Sequence, residues 1–437
     1  MANLISVLFI IEFFLIFLIM IYTLLKKGVT FKVGISFGVL FFVFIPVGIM
    51  IFTGTLELSK ADFNYTTLSD VVLGNNIHSS LLLIGYLFSL LVYLYFPPRY
   101  STVEFSNEFK PNLKGYLITY VIGMLIVFVG SGLLDGGDWY QNREHFMQSN
   151  GAFAVLIVFI VNSAKILFIS TLFYKWLRND LSFYAFMFFT LIFVVIDMVF
   201  SGNRIYLFCT AILICFIFLK RYTKKTLIAS PFLFPATFFF GYFASIFRHM
   251  RGPLFLNGLP TIDVFIAALN RAMVLEPPNP KLFFIGISES INVNVIYNLF
   301  NRYDDFLLGA TYFKPLFFYV PRSIWQGKPE SITVITANSF GGSSLVTTII
   351  GEMFMNFSVY GIIILPIVLW FTEGFITKSL SSYGSISNIV GFFFGILFFR
   401  MPFSDEILVF LFLLLILTLF NVFKKYKFIF PENHEKD

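Results

Sequence analysis

The sequence predicts an all-α protein that crosses a membrane many times, and its composition carries that prediction. Hydrophobic residues make up 58% of the 437 residues, and the mean hydropathy is +0.85. Charged residues amount to only 12%, where a soluble domain has about 25%. Phe alone occurs 63 times. A soluble fold cannot bury so much apolar surface under so few charges, which excludes a chain of soluble domains.

A helix needs about 20 mostly apolar residues to cross the hydrocarbon core of a bilayer. Applied along the chain, that window predicts about 11 spans, with a range of about 10–12. They lie near residues 3–25, 33–53, 79–97, 115–134, 152–176, 182–200, 204–220, 226–246, 346–371, 386–402 and 406–423. The first apolar run is too long for a signal peptide and has no small-residue cleavage site, so we expect a retained span.

Basic residues determine the predicted orientation. Of the 30 Lys and Arg residues, 17 fall in alternate short connections and in the C-terminal tail. The short connections on the other side contain only Lys60, Arg143, Arg204 and Arg400. Because cytoplasmic loops are enriched in Lys and Arg, the first set is predicted to be cytoplasmic. Eleven spans then place the N-terminus outside and the C-terminus in the cytoplasm.

The spans divide the chain into three regions: a bundle at 1–246, a large external loop at 247–345, and a second bundle with a short cytoplasmic tail at 346–437. The loop contains 8 of the 30 basic residues and 8 of the 17 prolines. Its apolar and aromatic content argues against disorder. Stretches 264–269 and 316–320 are too short to span, and we expect amphipathic helices on the membrane surface or re-entering beside the bundle.

Basic residues cluster where the predicted eighth span leaves the membrane. Arg248 and Arg251 are three residues apart, hence on one helical face, and arginine suits bidentate phosphate binding. An interfacial snorkelling pair is the alternative. His249 is a candidate base near neutral pH, or simply an interfacial residue. Arg204 follows a Gly-Asn turn at an external span end, against the usual charge bias; a capped hairpin with a snorkelling Arg is the alternative.

The string from Pro321 to Pro329 combines Arg322, Trp325 and Lys328. If the segment is helical, Arg322 and Trp325 share a face and Lys328 follows one turn later. Such a set at a bilayer surface could hold a lipid diphosphate with a sugar ring stacked on the indole. An aromatic-belt anchor with basic neighbours is the alternative.

Glu352 and Asn356 lie four residues apart inside the predicted ninth span, so their side chains point the same way. A carboxylate there is costly unless it is paired or lines a watery cavity, which makes Glu352 a candidate base or orienting group. A structural ion pair with a loop arginine is the alternative. The preceding Gly341–Ser344 run could offer backbone N–H groups to an anion or could be a plain N-cap.

No metal, cofactor or nucleic-acid site is predicted. Cys209 and Cys215 show neither a disulfide framework nor zinc-ligand spacing, and the Asp304–Asp305 pair lacks a second acidic or His cluster. We find no internal repeat and no inverted pair of broken helices, the pattern of secondary transporters. The intramembrane ionisable residues are sparse for a proton or ion relay. They are Glu12, Lys165, Asp197 and Glu352.

Taken in order, these strings resemble the Wzy-type O-antigen (oligosaccharide repeat unit) polymerases. The topology is similar over nearly the whole chain, and the motifs over roughly residues 201–361. Met355 and Ser358 stand where family members often have Tyr and Gly. The matching residues are Gly202 and Arg204, the Phe247–Gly252 exit, Gly309–Tyr312, Pro321–Arg322, Trp325, Lys328–Pro329, Gly341–Ser344, Gly351–Glu352, Asn356–Phe357 and Gly361.

The resemblance implies a metal-independent glycosyltransferase of the multi-span GT-C type in the bacterial inner membrane. Such an enzyme joins polyprenyl-diphosphate-linked oligosaccharide repeats on the periplasmic side, beside a flippase and a chain-length regulator. The growing glycan leaves its lipid diphosphate and is transferred to the non-reducing end of an incoming repeat.

Residue chemistry assigns expected roles, because a diphosphate leaving group gains negative charge that guanidinium groups stabilise, and the acceptor hydroxyl needs positioning or a base. The diphosphate candidates are Arg248, Arg251, Arg322, Lys328 and, more weakly, Arg204. The others are Glu352 or His249 as base or orienting group, Asn356 for sugar binding or support of Glu352, and Trp325 for stacking.

Two other functions stay open at this point. An O-antigen ligase shares the topology, the donor and the basic loop, and differs in transferring the glycan to lipid A core. A transporter, such as a flippase of the same lipid-linked sugar, predicts a charged interior and duplicated halves, whereas here the polar residues concentrate on one side.

Overall fold

A computed structural model describes residues 2–56, 68, 70–97, 111–131, 146, 151–201, 205–224, 228, 242, 246–247, 249–250, 253–254, 261–275, 288–320, 324–340 and 345–425. These residues are mostly helical. The helices up to residue 221 are α1 (Ala2–Lys27), α2 (Phe31–Val39), α3 (Ile45–Thr53), α4 (Ile77–Tyr95), α5 (Leu113–Gly130), α6 (Gly151–Leu177), α7 (Phe183–Ser201) and α8 (Ile205–Arg221). The later ones are α9 (Ile262–Leu275), α10 (Ile291–Arg302), α11 (Ala310–Phe313), α12 (Ile332–Phe340), α13 (Ile349–Phe357), α14 (Gly361–Ser379), α15 (Ile386–Leu397) and α16 (Phe403–Lys425).

The remaining regular elements are short. A π-helical turn at Leu40–Phe44 joins α2 to α3, and β1 (Thr55–Leu56) pairs antiparallel with β2 (Val71–Val72). Three 3₁₀ turns lie at Lys314–Leu316, Ser358–Tyr360 and Ser381–Tyr383.

The protein is an all-α polytopic membrane protein. In the described part of the chain, seven helical segments are long and apolar enough to cross a membrane, and two shorter apolar helices accompany them. The seven are Asn3–Lys27, Phe31–Thr53, Ile77–Tyr95, Leu113–Gly130, Phe153–Leu177, Ile349–Ser379 and Phe403–Phe423. Large apolar side chains stand exposed along them, such as Leu4 and Leu18 of α1, each 62% exposed. Continuous apolar surface of this kind faces lipid.

The predicted spans agree with the helices over the first half of the chain. The first seven predicted spans coincide with the observed helical segments to within about four residues at each end, because a window of apolar residues is the signal that a span requires. The predicted span 226–246 lies almost wholly outside the described residues. The total of eleven spans stays a prediction.

The predicted ninth span, 346–371, is interrupted in the structure. Helix α13 ends at Phe357, a 3₁₀ turn follows, and α14 begins at Gly361. Ser358 adopts φ +54°, and its carbonyl accepts a hydrogen bond from the Tyr86 hydroxyl at 2.6 Å. Helix α14 alone has 19 residues, close to the number that a bilayer requires. The nine residues of α13 are therefore not needed to cross the membrane.

Two predictions about shorter segments have different outcomes. Stretch 264–269 is helical, as predicted, inside α9. The prediction of a helix at 316–320 is wrong, because the 3₁₀ turn ends at Leu316 and residues 317–320 form only turns and bends. Five residues are too few to form a stable helix by themselves. Helix α15, predicted as the span 386–402, has only 12 residues, and all of them except Asn388 are buried.

The core forms where α2 packs on α15, α5 on α6, α6 on α16, and α14 on α4. Helices α2 and α15 approach closely because glycines face each other: a Cβ at Gly34 would lie 2.3 Å from the Phe392 carbonyl oxygen, and one at Gly395 would lie 2.5 Å from the Phe31 carbonyl oxygen. Phenylalanines fill the space beside this contact, with the Phe31 and Phe398 rings 5.8 Å apart.

External-loop residues reach the bundle through α10, which packs on α13 and α4. The Phe300 and Phe354 ring centroids lie 4.7 Å apart. The Ser80 and Tyr297 hydroxyls are 3.0 Å apart, and the Ser79 hydroxyl donates to Asn301 Oδ1 at 2.6 Å. This part of the loop is therefore a packed element that positions α13.

The glycine contact gives a stability prediction. Gly395→Ala should lower the melting temperature of the purified protein by an amount corresponding to about 1–3 kcal/mol, because backbone atoms cannot yield to an added methyl group. The matched control is Gly48→Ala in α3, where nothing lies within 4 Å of the added Cβ and helix propensity improves. Equal melting temperatures for the two variants would contradict the close approach of α2 and α15.

Candidate functional site

A fully buried carboxylate lies at the centre of the candidate site. Glu352 in α13 has no exposed surface. The Thr311 hydroxyl donates to its Oε1 at 2.8 Å, and the backbone N–H of Ser404 donates to its Oε2 at 3.2 Å. Both oxygens thus face protein donors from segments distant in sequence.

Asn356 completes this arrangement one helical turn after Glu352. Its Nδ2 donates to Thr311 Oγ1 at 2.8 Å and to the Glu352 carbonyl oxygen at 2.8 Å. Its Oδ1 is buried and accepts no hydrogen bond from the described residues. The Thr311 hydroxyl therefore donates to one motif residue and accepts from the other, so the three side chains form one unit, which we call the Glu352 network.

A tight turn brings Thr311 to this position. The Leu307 N–H donates to the Met355 carbonyl oxygen at 3.0 Å, which attaches the turn to α13. Gly309 follows with φ +84°, a left-handed conformation that only glycine adopts without strain. The next helical turn, α11, then begins and carries Thr311 inward, where it is fully buried.

Tyr312 seals the side of the network. Its ring centroid lies 5.0 Å from that of Phe403 and 5.8 Å from that of Phe357. Its hydroxyl is 3.7 Å from Met353 Sδ. Burial raises the pKa of the Tyr312 phenol well above its usual value, and the neighbouring charge of Glu352 raises it further. The phenol therefore stays a neutral hydrogen-bond donor.

The N-terminal turn of α16 contacts the loop at two consecutive residues. Ser404 binds Glu352 through its N–H, and the positive end of the helix dipole favours a carboxylate there. Asp405 forms an ion pair with Lys314, with Nζ 3.2 Å from Oδ1. The Ser331 hydroxyl lies 3.5 Å from Asp405 Oδ2. One helix end thus holds α13, α11 and the segment before α12.

This geometry favours the orienting role for Glu352 over the role of general base. A base must reach the proton that it removes, and both Glu352 oxygens already accept hydrogen bonds in a closed interior. The donors that the described residues supply are a hydroxyl and a backbone amide. Arg248, Arg251 and Arg322 lie outside the described residues, so the alternative of an ion pair with a loop arginine is not tested.

Four predicted diphosphate ligands lie outside the described residues, and the structure leaves their convergence a prediction. They are Arg204, Arg248, Arg251 and Arg322. The Gly341–Ser344 run is outside the described residues as well.

The described candidates from the loop occupy different surroundings. His249 is half-buried beside Met250, which packs with Ala268 and Ala272 of α9. Trp325 is 37% exposed and places its ring against Phe317, edge to face, with centroids 5.7 Å apart.

Lys328 is engaged within its own segment. Its ammonium donates to the carbonyl oxygens of Phe318 at 2.7 Å and Val320 at 2.9 Å. Residues 324–330 form turns and no helix, so Lys328 does not follow Trp325 by one helical turn. Lys328 therefore fixes the backbone at Phe318 and Val320, just before Arg322.

Sequence reasoning did not single out Ser404 or Asp405 and named Thr311 only within a motif string. For Asp405 a signal was present, since acidic residues in the first turn of an apolar helix mark its N-terminus. Among the described residues, no group of three or more His, Cys, Asp or Glu is placed to hold a metal ion. No family model, curated protein or solved structure matches this chain.

The Glu352 network predicts that two substitutions of Thr311 differ in their effect on stability. Thr311→Val removes one donor from the buried carboxylate and should lower the free energy of unfolding by about 2–3 kcal/mol, whereas Thr311→Ser should retain most of it. Thr418→Val in α16 is the control, because that exposed hydroxyl bonds only to the Leu414 carbonyl of its own helix. Thermal melting of the purified variants measures the difference; a Thr311→Val protein as stable as the control contradicts the network.

Proposed function

We propose that this protein is a Wzy-type polymerase of lipid-linked oligosaccharide repeat units in a bacterial inner membrane. It transfers the growing glycan from its polyprenyl diphosphate to an incoming repeat unit on the periplasmic face. The product is O-antigen or a related surface polysaccharide. The proposal includes about eleven spans, a GT-C-like arrangement, an external N-terminus and a cytoplasmic C-terminus.

One observation supports this proposal most. Three separate strings of the resemblance, Gly309–Tyr312, Gly351–Glu352 and Asn356–Phe357, meet in the Glu352 network. Residues 311 and 352 are 41 positions apart in the sequence, so their contact does not result from being neighbours in the chain. If the three strings form one functional site, their residues have to lie together in the fold, and here they share one buried network.

The charge of the proposed substrate fits the external loop. A lipid diphosphate carries negative charge that increases as the anomeric bond breaks, and fixed cations stabilise that charge. We assign Arg248, Arg251 and Arg322 to this role, with Arg204 as a further candidate. Lys328 supports the chain before Arg322 through its two carbonyl contacts.

On the acceptor side of the reaction, the protein has to hold the acceptor hydroxyl in position. The Glu352 network fixes α13 against α11 and α16, and the aromatic rings of Tyr312, Phe357 and Phe403 adjoin it. Aromatic faces of this kind suit a sugar ring, and Trp325 supplies another partly exposed ring. His249 remains the candidate base. The proposed partners are the lipid-linked oligosaccharide, membrane lipid, a flippase and a chain-length regulator.

The enzyme proposal is tested with purified protein in lipid nanodiscs and lipid-linked repeat units. We expect elongation of the repeats with release of polyprenyl diphosphate. Transfer to lipid A core without elongation identifies a ligase instead. Movement of the repeats across a vesicle membrane without new glycosidic bonds identifies a flippase, and either result overturns the polymerase proposal.

The diphosphate ligands are tested in cells. Arg248→Ala or Arg322→Ala should stop long-chain glycan formation while the amount of protein in the membrane stays unchanged, because each removes a cation from the leaving group. Arg271→Ala is the matched control, since this arginine lies exposed on α9 in the same loop. Full-length polymer from both test variants would show that the arginines do not bind the diphosphate.

A further inference from the structure

A short stretch of the predicted external loop, directly after Tyr312, exposes large apolar side chains. We call residues 313–320 together with 324–325 the aromatic segment. Tyr319 is 68% exposed and Ile324 is 77% exposed. An exposed apolar patch of this kind marks a surface that contacts another protein, a ligand or a membrane. The exposed apolar side chains of the segment are those of Phe313, Leu316, Phe317, Tyr319, Ile324 and Trp325.

The lysines of this stretch bind protein groups. Lys314 forms its ion pair with Asp405, with Nζ 3.2 Å from Oδ1, and both side chains are less than a fifth exposed. The Lys328 ammonium donates to the carbonyl oxygens of Phe318 and Val320. A loop that faces water exposes its charged groups and covers its apolar ones. The aromatic segment does the reverse, as expected of a surface that contacts hydrocarbon.

Contacts with α16 show how far the segment follows a membrane-crossing helix. Lys314 binds Asp405 in the first turn of α16. The Phe318 ring centroid lies 5.2 Å from that of Phe412, which is near the middle of the last membrane-crossing segment. Residues 405 and 412 are about 10 Å apart along the helix, at 1.5 Å per residue. Phe412 also stacks on Phe159 of α6, another membrane-crossing helix, with centroids 5.8 Å apart. The segment therefore runs along the bundle towards the bilayer centre.

Hydrogen bonds to the backbone of the segment suit the same position. Hydrocarbon offers no hydrogen bonds, so non-helical backbone inside a bilayer is tolerated only where protein groups satisfy it. Lys328 supplies donors to two carbonyl oxygens, those of Phe318 and Val320. The Val320 N–H donates to the Phe317 carbonyl oxygen and the Phe317 N–H to the Lys314 carbonyl oxygen, both at 3.1 Å. Lys328 thus provides what a non-helical segment requires at this depth.

We propose that the aromatic segment re-enters the membrane without forming a helix, and that its exposed side chains bind the hydrocarbon of the bilayer beside α16. Thr311 of the Glu352 network lies two residues before the segment, so hydrocarbon reaches the edge of the candidate site. A lipid-linked substrate then has a route to this network within the membrane. That consequence rests on the proposed function, whereas the insertion itself does not.

Insertion is tested with nitroxide labels on the full-length protein in lipid nanodiscs, after both native cysteines, Cys209 and Cys215, are replaced by alanine. At Leu316→Cys and Tyr319→Cys, electron paramagnetic resonance should show more relaxation by oxygen, which concentrates in hydrocarbon, than by a water-soluble nickel complex. Asp304→Cys is the control, because this exposed polar residue lies in the same loop and should show the opposite order. Labels at 316 and 319 that behave like the label at 304 overturn the insertion.

A second measurement tests why the segment can insert. Lys328→Met removes the donors to the two carbonyl oxygens, so the label at Tyr319→Cys should become more accessible to the nickel complex. Lys378→Met is the matched control, because this lysine lies exposed at the end of α14 and should leave the label unchanged. An unchanged label in Lys328→Met contradicts the assigned role of Lys328. Neither measurement uses a lipid-linked sugar, so inserted labels without glycan elongation overturn only the proposed function.

Discussion

The hydrogen bonds to the buried Glu352 side chain are the interaction on which the candidate site depends, because they join α13 to α11 and α16. A carboxyl group buried without hydrogen-bond partners is less stable than in water, and each hydrogen bond that it makes recovers about 1–3 kcal/mol of that loss. Glu352 therefore requires Thr311 and the Ser404 N–H where they are. Because these donors belong to α11 and α16, the carboxylate joins the external loop to the second bundle.

The break between α13 and α14 allows α13 to reach these hydrogen-bond partners. A continuous helix through residues 349–379 would have 31 residues, well beyond the length that a bilayer needs. The break at Ser358 frees α13 to follow α10 and α16, while α14 continues as the span. The Tyr86 hydroxyl, which binds the Ser358 carbonyl, and Gly361, where a Cβ would lie 2.4 Å from that hydroxyl, hold the break against α4.

Hydropathy predicted the helices well because a span depends on the sum of many apolar side chains. The break at Ser358 gave no such signal, since its neighbours Val359 and Tyr360 are apolar too. The motif strings identified Thr311, Glu352 and Asn356 as members of one pattern. That Glu352 is sealed follows from a contact with Ser404, which is 52 residues away, and no local pattern encodes such a distance.

The same limit applies to the charges inside the bundle. The sequence analysis named Lys165 and Asp197 among the few ionisable residues of the predicted spans, with no pairing between them. The structure pairs these two residues, with Lys165 Nζ 2.7 Å from Asp197 Oδ1. Ionisable groups were thus detectable one at a time, whereas their pairing depends on how α6 and α7 pack.

The most direct measurement of the central claim is a double-mutant cycle of Thr311→Val and Glu352→Gln, read out by thermal melting. If the hydroxyl and the carboxylate stabilise each other, the combined loss should be smaller than the sum of the single losses by about 1–3 kcal/mol. Losses that add to within about 0.5 kcal/mol contradict the account, because the two side chains would then be energetically independent.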